Sequence, residues 1–206
     1  MKIKVCGMLY PGNLEQVCAL EPDFVGYIFY PGSKRFVGAT PDPALFHIPG
    51  PGIRKVGVFV NETIAFVKKA YESNRLHMVQ LHGGESPAYC STLLKAGIPV
   101  VKALGADPDV ARLEEYREQV RYFLFDTPGQ GYGGTGRKFD WDLLKKIPAT
   151  TPFLLGGGIG PGDDRAVLEL DHGGLIGVDL NSRFELSPGL KDVKMLKEFM
   201  VQIRKY

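Results

Sequence analysis

The chain has 206 residues, with 25 Lys plus Arg against 23 Asp plus Glu and a formal net charge of +2. At 44% hydrophobic and 23% charged it has the balance of a globular protein long enough to bury a core, and a single domain over 1–206 is expected. Mixed charge with no basic stripe excludes an electrostatic nucleic-acid surface, no apolar segment approaches the ~20 residues of a membrane helix, and three cysteines (Cys6, Cys18 and Cys90) cannot build a disulfide framework.

The opening MKIKVCGM lacks the apolar stretch of a signal peptide. A cytoplasmic protein with reduced thiols is therefore expected, binding neither nucleic acid nor membrane. With 26 Gly and 15 Pro, these two residues make up about a fifth of the chain against roughly 12% on average, which predicts many turns.

In chain order, short runs rich in Val, Ile, Leu and Phe predict buried strands at 2–6, 24–29, 55–60, 77–81, 98–104, 122–126, 151–156 and 175–180. Helices are predicted between them. Residues 62–74 place Ile64, Val67 and Tyr71 at spacings of three and four. The stretch 86–96 opens with Ser-Pro, 107–119 with Asp-Pro, and 161–170 with Pro161 and paired Asp. The chain closes on an amphipathic stretch at 190–205, and shorter candidates lie at 12–20, 41–47 and 140–147.

Eight strands alternating strictly with about eight helices predict parallel strands joined by crossover helices. An open doubly wound sheet and a closed (β/α)8 barrel both fit that order. No run has the reduced apolar content of an edge strand, which favours the α/β fold of a single-domain (β/α)8 TIM barrel at the compact end of its size range.

Active sites of such barrels lie at the C-terminal ends of the strands. On the first strand, period two puts Lys4 and Cys6 on the inward face, where a lysine beside a cysteine favours the thiolate; a small buried Cys under a snorkelling Lys is the structural alternative. The fourth strand ends with Gln80 and His82 on one face, and the sixth ends in Asp126. A glycine-rich loop follows at 128–136, expected to cover the site. After the second strand, Arg35 carries the planar fork of donors that suits a carboxylate, or else sits in a solvated Lys-Arg pair.

The seventh and eighth strands run into Gly156-Gly157-Gly158 and into Asp179-Leu180-Asn181-Ser182. Loops at these two positions often bind phosphate, through close backbone N–H groups and a helix N-terminus. No His/Cys/Asp group has metal-ligand spacing, so no metal and no cofactor is expected. Base, acid, anion-binding arginine and phosphate cup together suit proton shuffling on a sugar phosphate.

The segments KVCGM (4–8), VGYIFYPGSKR (25–35), VQLHGGES (79–86), LFDTPGQGYGGTGRKFDW (124–141), LLGGGIGP (154–161) and GVDLNSRFELSPGLKD (177–192) resemble the phosphoribosylanthranilate isomerase family of tryptophan biosynthesis, in the family's order and from the first strand to the last helix. The resemblance implies a metal-free Amadori rearrangement of a phosphorylated small molecule. By motif, Asp126 would be the general acid and Cys6 the general base. Arg35 would bind the anthranilate carboxylate, and backbone amides near Gly157, Gly158, Asn181 and Ser182 would hold the phosphate. Lys4, Gln80, His82 and Asp179 complete the expected substrate-binding set. Two positions depart from the family pattern: Arg183 stands where Gly is usual, and Gly156 where Ser or Ala is usual. A histidine-pathway sugar-phosphate isomerase and a non-catalytic phosphoribosyl sensor are the alternatives, and both a monomer and a homodimer fit the sequence.

Overall fold

A computed structural model describes residues 1–105, 109–127 and 138–205. The loop 128–136 and the expected Asp107-Pro108 helix start lie outside the described residues.

Eight parallel strands close into a barrel in sequence order: β1 (Lys2–Val5), β2 (Phe24–Ile28), β3 (Arg54–Phe59), β4 (Met78–Leu81), β5 (Val100–Gly105), β6 (Tyr122–Asp126), β7 (Phe153–Leu155) and β8 (Leu175–Leu180). Closure is made by β1 against β8, with Lys4 opposite Asp179 in register. All eight predicted strands are present, with ends that agree to within two residues.

Helices α1 (Pro11–Cys18), α2 (Ala44–His47), α3 (Ile64–Ser73), α4 (Pro87–Lys95), α5 (Val110–Tyr116), α6 (Asp164–Leu168) and α7 (Val193–Arg204) pack outside. Thr63 and Ser86 cap α3 and α4 by accepting from the amides of Phe66 and Tyr89, as N-cap hydroxyls do. Asp109 caps α5 by accepting from the Ala111 amide.

Three helical expectations change. Residues 141–146 form a 3₁₀ helix, and α6 covers only five residues of the expected 161–170. The chain after β8 does not go straight into a helix. A 3₁₀ turn (Ser182–Phe184) leads to an antiparallel hairpin, β9 (Glu185–Ser187) with β10 (Leu190–Lys191), before α7 begins. The apolar period that predicted a helix from residue 190 is real only from Val193 onward. The hairpin turns at Gly189, whose φ of +85° suits glycine and where an added Cβ would lie 2.8 Å from Leu9.

Alternation along each strand sorts the side chains into layers. Ile3, Val5, Val25, Tyr27, Val79, Phe123, Phe125, Val178 and Leu180 face outward onto the helices and form the large core. Phe24, Val56, Met78, Val101, Ala103, Leu124 and Leu154 fill the barrel interior. Above them, toward the C-terminal mouth, sit Cys6, Ile28 and Val58. In β8 the pairing slips: Leu175 and Gly177 face consecutive residues of β7. Ile176 packs on the interior, so strict period two would turn Asp179 outward; the extra residue resets the alternation and Asp179 faces in beside Lys4.

Candidate active site

At the mouth of the barrel a cavity of about 680 Å³, open solvent at its entrance included, is lined by Cys6, Arg35, Gln80, His82, Asp126, Gly156–Gly158, Asp179, Asn181 and Ser182 over an apolar floor of Ile28, Val58 and Val60. Ten of the eleven residues expected from sequence thus converge on one space. The exception is Lys4, which is buried below the lining and donates to Asp179 Oδ2 at 2.8 Å. It stands behind the site because β1 places it one inward step deeper than Cys6.

Cys6 follows the end of β1, its amide donating to the Leu180 carbonyl at 2.9 Å. Gly26 opposite leaves the space its thiol occupies: a Cβ there would lie 2.7 Å from Sγ. Burial pushes the Cys6 thiol above its ordinary 9.0, and the attraction of Lys4 offsets this only in part. Burial thus favours the thiol over the thiolate in the free protein. A lysine neighbour is present as expected, but desolvation outweighs it. Burial opposes the Lys4 charge as well, yet Asp179 and Cys6 hold its pKa above 10.5.

Asp126 ends β6 across the barrel. Its Oδ1 accepts from the Thr127 amide at 2.8 Å, and Oδ2 lies 3.4 Å from His82 Nε2. Gln80 Nε2 lies 2.9 Å from His82 Nδ1. With the amide in this orientation Nδ1 is the acceptor, so the ring proton sits on Nε2, facing Asp126. Gln80 Oε1 and Asp179 Oδ1 are buried acceptors without a hydrogen-bond partner among the described residues. Such atoms are costly to leave unmet, and at the wall of a cavity they suit hydroxyl groups of a ligand.

Gly157 and Gly158 both have φ of +76°, and at Gly157 a Cβ would meet the Thr127 amide nitrogen at 2.7 Å. Asn181 and Ser182, just past β8, line the same cavity. α6 starts only at Asp164, and the Asp163 carboxylate already accepts from the Gly160 amide at 2.8 Å and pairs with Lys138. Arg183 is exposed and runs over Gly160, where a Cβ would meet its Nε at 3.1 Å. It is not in the cavity wall.

Sequence reasoning missed the supports beneath these residues. Glu85 and Lys102 form a buried pair at 2.9 Å; Glu85 also accepts from the amides of Asn61 and Gly83, and Lys102 donates to the carbonyls of Leu81 and Gly83. This fixes the β4–α4 loop that carries His82. Glu185 and Lys191, from the hairpin, hold Arg35 and Asn181. A buried Lys on an apolar strand was the one available signal for Lys102.

A closed eight-stranded parallel barrel whose mouth gathers a thiol, a carboxylate, an arginine and two loops at β7 and β8 around one cavity has the architecture of a (β/α)8 enzyme. A family model for N-(5'phosphoribosyl)anthranilate (PRA) isomerase matches residues 3–202, and the chain belongs to that family. An N-(5'-phosphoribosyl)anthranilate isomerase of Parabacteroides distasonis is 45% identical over 206 residues, covering 98% of this chain and 93% of the relative. A solved phosphoribosyl anthranilate isomerase from Thermus thermophilus superposes with a TM-score of 0.85 at 28% identity, covering 100% and 99% of the two chains. Another, in complex with reduced 1-(o-carboxyphenylamino)-1-deoxyribulose 5-phosphate, gives 0.82 at 28% identity and covers all of both chains.

Proposed function

We propose that Asp126 and Cys6 are the acid and base with which this isomerase converts N-(5-phosphoribosyl)anthranilate to 1-(2-carboxyphenylamino)-1-deoxyribulose 5-phosphate, the Amadori step of tryptophan biosynthesis. The observation that carries the reading is that both residues line one cavity, flanked by Arg35 and by the loop pair at Gly157–Gly158 and Asn181–Ser182. Such a site matches a substrate charged at both ends and reacting in the middle.

Asp126 gives its proton to the ribose ring oxygen. The bond from C1 to that oxygen breaks as the anilino nitrogen lone pair forms the C1=N iminium. Cys6, as thiolate, takes the proton from C2, and the C–H electrons neutralise the iminium to give the enolamine. Transfer of the enol proton from oxygen to C1 then yields the ketone, and the proton gained by Cys6 returns to Asp126 for the next turnover, so no atoms are gained or lost.

The reactive arrangement needs the proton on Asp126 and off Cys6. Lys4 beneath Cys6 favours the thiolate, and the iminium brings a second positive charge next to C2 at the step that uses it. Asp179 Oδ1 and Gln80 Oε1 supply acceptors for ribose hydroxyls. Arg35 meets the anthranilate carboxylate, and the amides of Gly157, Gly158, Asn181 and Ser182 meet the phosphate.

The test forms phosphoribosylanthranilate in place and follows the loss of its fluorescence. Loss with the wild-type chain and none with folded Cys6→Ala supports both the substrate and the base. No loss with folded wild type overturns the assignment.

A further inference from the structure

Arg35 is not a free arginine waiting for a ligand. Its Nε donates to Glu185 Oε1 at 2.8 Å and Oε2 at 3.1 Å, and its Nη2 donates to Oε2 at 2.6 Å. The two side chains are 11% and 4% exposed. The edge of the guanidinium best shaped for a carboxylate is thus already occupied. Nη1 makes no hydrogen bond among the described residues, and Arg35 lines the cavity.

Glu185 is itself held from other sides. Lys191 Nζ donates to its Oε1 at 2.7 Å and to Asn181 Oδ1 at 2.8 Å, and the Gly189 amide donates to Oε1 at 3.1 Å. The Arg35 stem is fixed as well: it crosses Gly7, where a Cβ would lie 2.6 Å from Cδ. Of this cluster of Arg35, Glu185 and Lys191, Arg35 is the member that lines the cavity.

We infer that Glu185 is a positioning residue for the isomerase reaction: it turns the Arg35 guanidinium so that the Nη1 corner alone meets the aromatic carboxylate of the substrate. A carboxylate at this place is otherwise a repulsive neighbour for an anionic substrate. Lys191 cancels its charge, so what remains is its geometry. Burial works against the Glu185 carboxylate, but hydrogen bonds from Arg35 and Lys191 outweigh it and keep its pKa below the ordinary 4.5. The clamp is therefore ionised at neutral pH. The hairpin that interrupts the βα alternation thereby gains a role, since it brings Glu185 and Lys191 back over the barrel mouth to the second strand's loop.

This inference rests on the reading of Arg35 as the carboxylate-binding residue, and the experiment separates the two. Kinetics and inhibition by two small probes, anthranilate and inorganic phosphate, are measured on the full chain and on Arg35→Ala, Glu185→Gln and Glu185→Asp. Glutamine keeps the size but offers one acceptor oxygen, and its NH₂ group opposes Arg35 or Lys191. Aspartate keeps the charge but pulls the fork back by one methylene. Both are expected to raise KM and the anthranilate inhibition constant roughly tenfold, the effect of one charge-assisted hydrogen bond. The phosphate constant stays as in wild type, and kcat changes by less than about threefold. If Arg35→Ala weakens anthranilate while both folded Glu185 variants bind it normally, the positioning role is overturned and the Arg35 reading stands. If Arg35→Ala leaves anthranilate binding intact, the reading itself falls. Should Glu185→Gln not fold, Glu185→Asp alone decides: unchanged anthranilate binding refutes the role.

Discussion

Gly26→Ala tests the geometry of Cys6, the proposed base, without touching its chemistry. Gly26 lies on β2 with an ordinary negative φ, so alanine brings no backbone strain there. Its Cβ would fall 2.7 Å from Cys6 Sγ, 3.2 Å from Cys6 Cα and 3.3 Å from Cys6 Cβ, against a favourable separation of about 3.5–4.0 Å. The strands cannot simply part. The Gly26 carbonyl accepts from the amides of Gly7 and Met8 at 2.9 and 3.0 Å, and the Cys6 amide is bound to Leu180 on the other side. Relief therefore falls on the thiol, which must move by about 1 Å to restore that separation. Overpacking of this kind costs about 1–3 kcal/mol, or about 2–12 °C in Tm for a chain of this length. Displacement of a reacting group by about 1 Å can cost on the order of 10²-fold. The expected result is a folded variant with kcat reduced about a hundredfold and a phosphate inhibition constant unchanged, because the cup lies on β7 and β8. Wild-type kcat in the folded variant would refute the packing argument, and so would an equal loss of phosphate binding, which would show that the damage is not local to Cys6.

Cys6→Ser and Asp126→Asn are each expected to lower turnover by roughly 10²–10⁴-fold with little change in Tm; near-normal turnover in either removes that residue from the chemistry. Ultraviolet thiolate absorbance, taken as wild type minus Cys6→Ser, is expected to be absent in the free protein at neutral pH and to emerge only above pH 9.0, in the direction burial imposes; a band at pH 7 would contradict it. Glu185 has a folded pKa below its unfolded 4.5. Its share of stability is present above that value and lost as pH falls through the folded pKa. The Tm gap between wild type and Glu185→Gln should therefore shrink in acid below pH 4.5, and a gap independent of pH would refute this. Glu85→Ala strips Lys102 of its carboxylate and leaves the Asn61 and Gly83 amides unmet, a loss of about 3–5 kcal/mol by chemical denaturation. The double variant Glu85→Gln, Lys102→Met should lose less than Glu85→Ala; a larger loss would argue against a desolvated pair.

The amino-acid sequence by itself determined the barrel and most of the side chains that gather at its mouth. Eight apolar runs with helical stretches between them admit few arrangements, and period two along a strand says which side chains share a face. A polar residue at the end of an apolar strand, such as Asp126, or on the inward face beside the terminus, such as Cys6, is visible because it breaks a short-range pattern. The glycines at 156–158 were legible for the same reason. The tertiary structure alone decided what those residues lean on. Arg35 and Glu185 are 150 residues apart, Lys4 and Asp179 are 175 apart, and no local period links such pairs. Whether Asp179 faces inward depends on one extra residue in β8, which shows in pairing register and not in composition. The protonation of Cys6 likewise needed the fold: a neighbouring lysine is readable from sequence, but the burial that outweighs it is a property of the closed barrel.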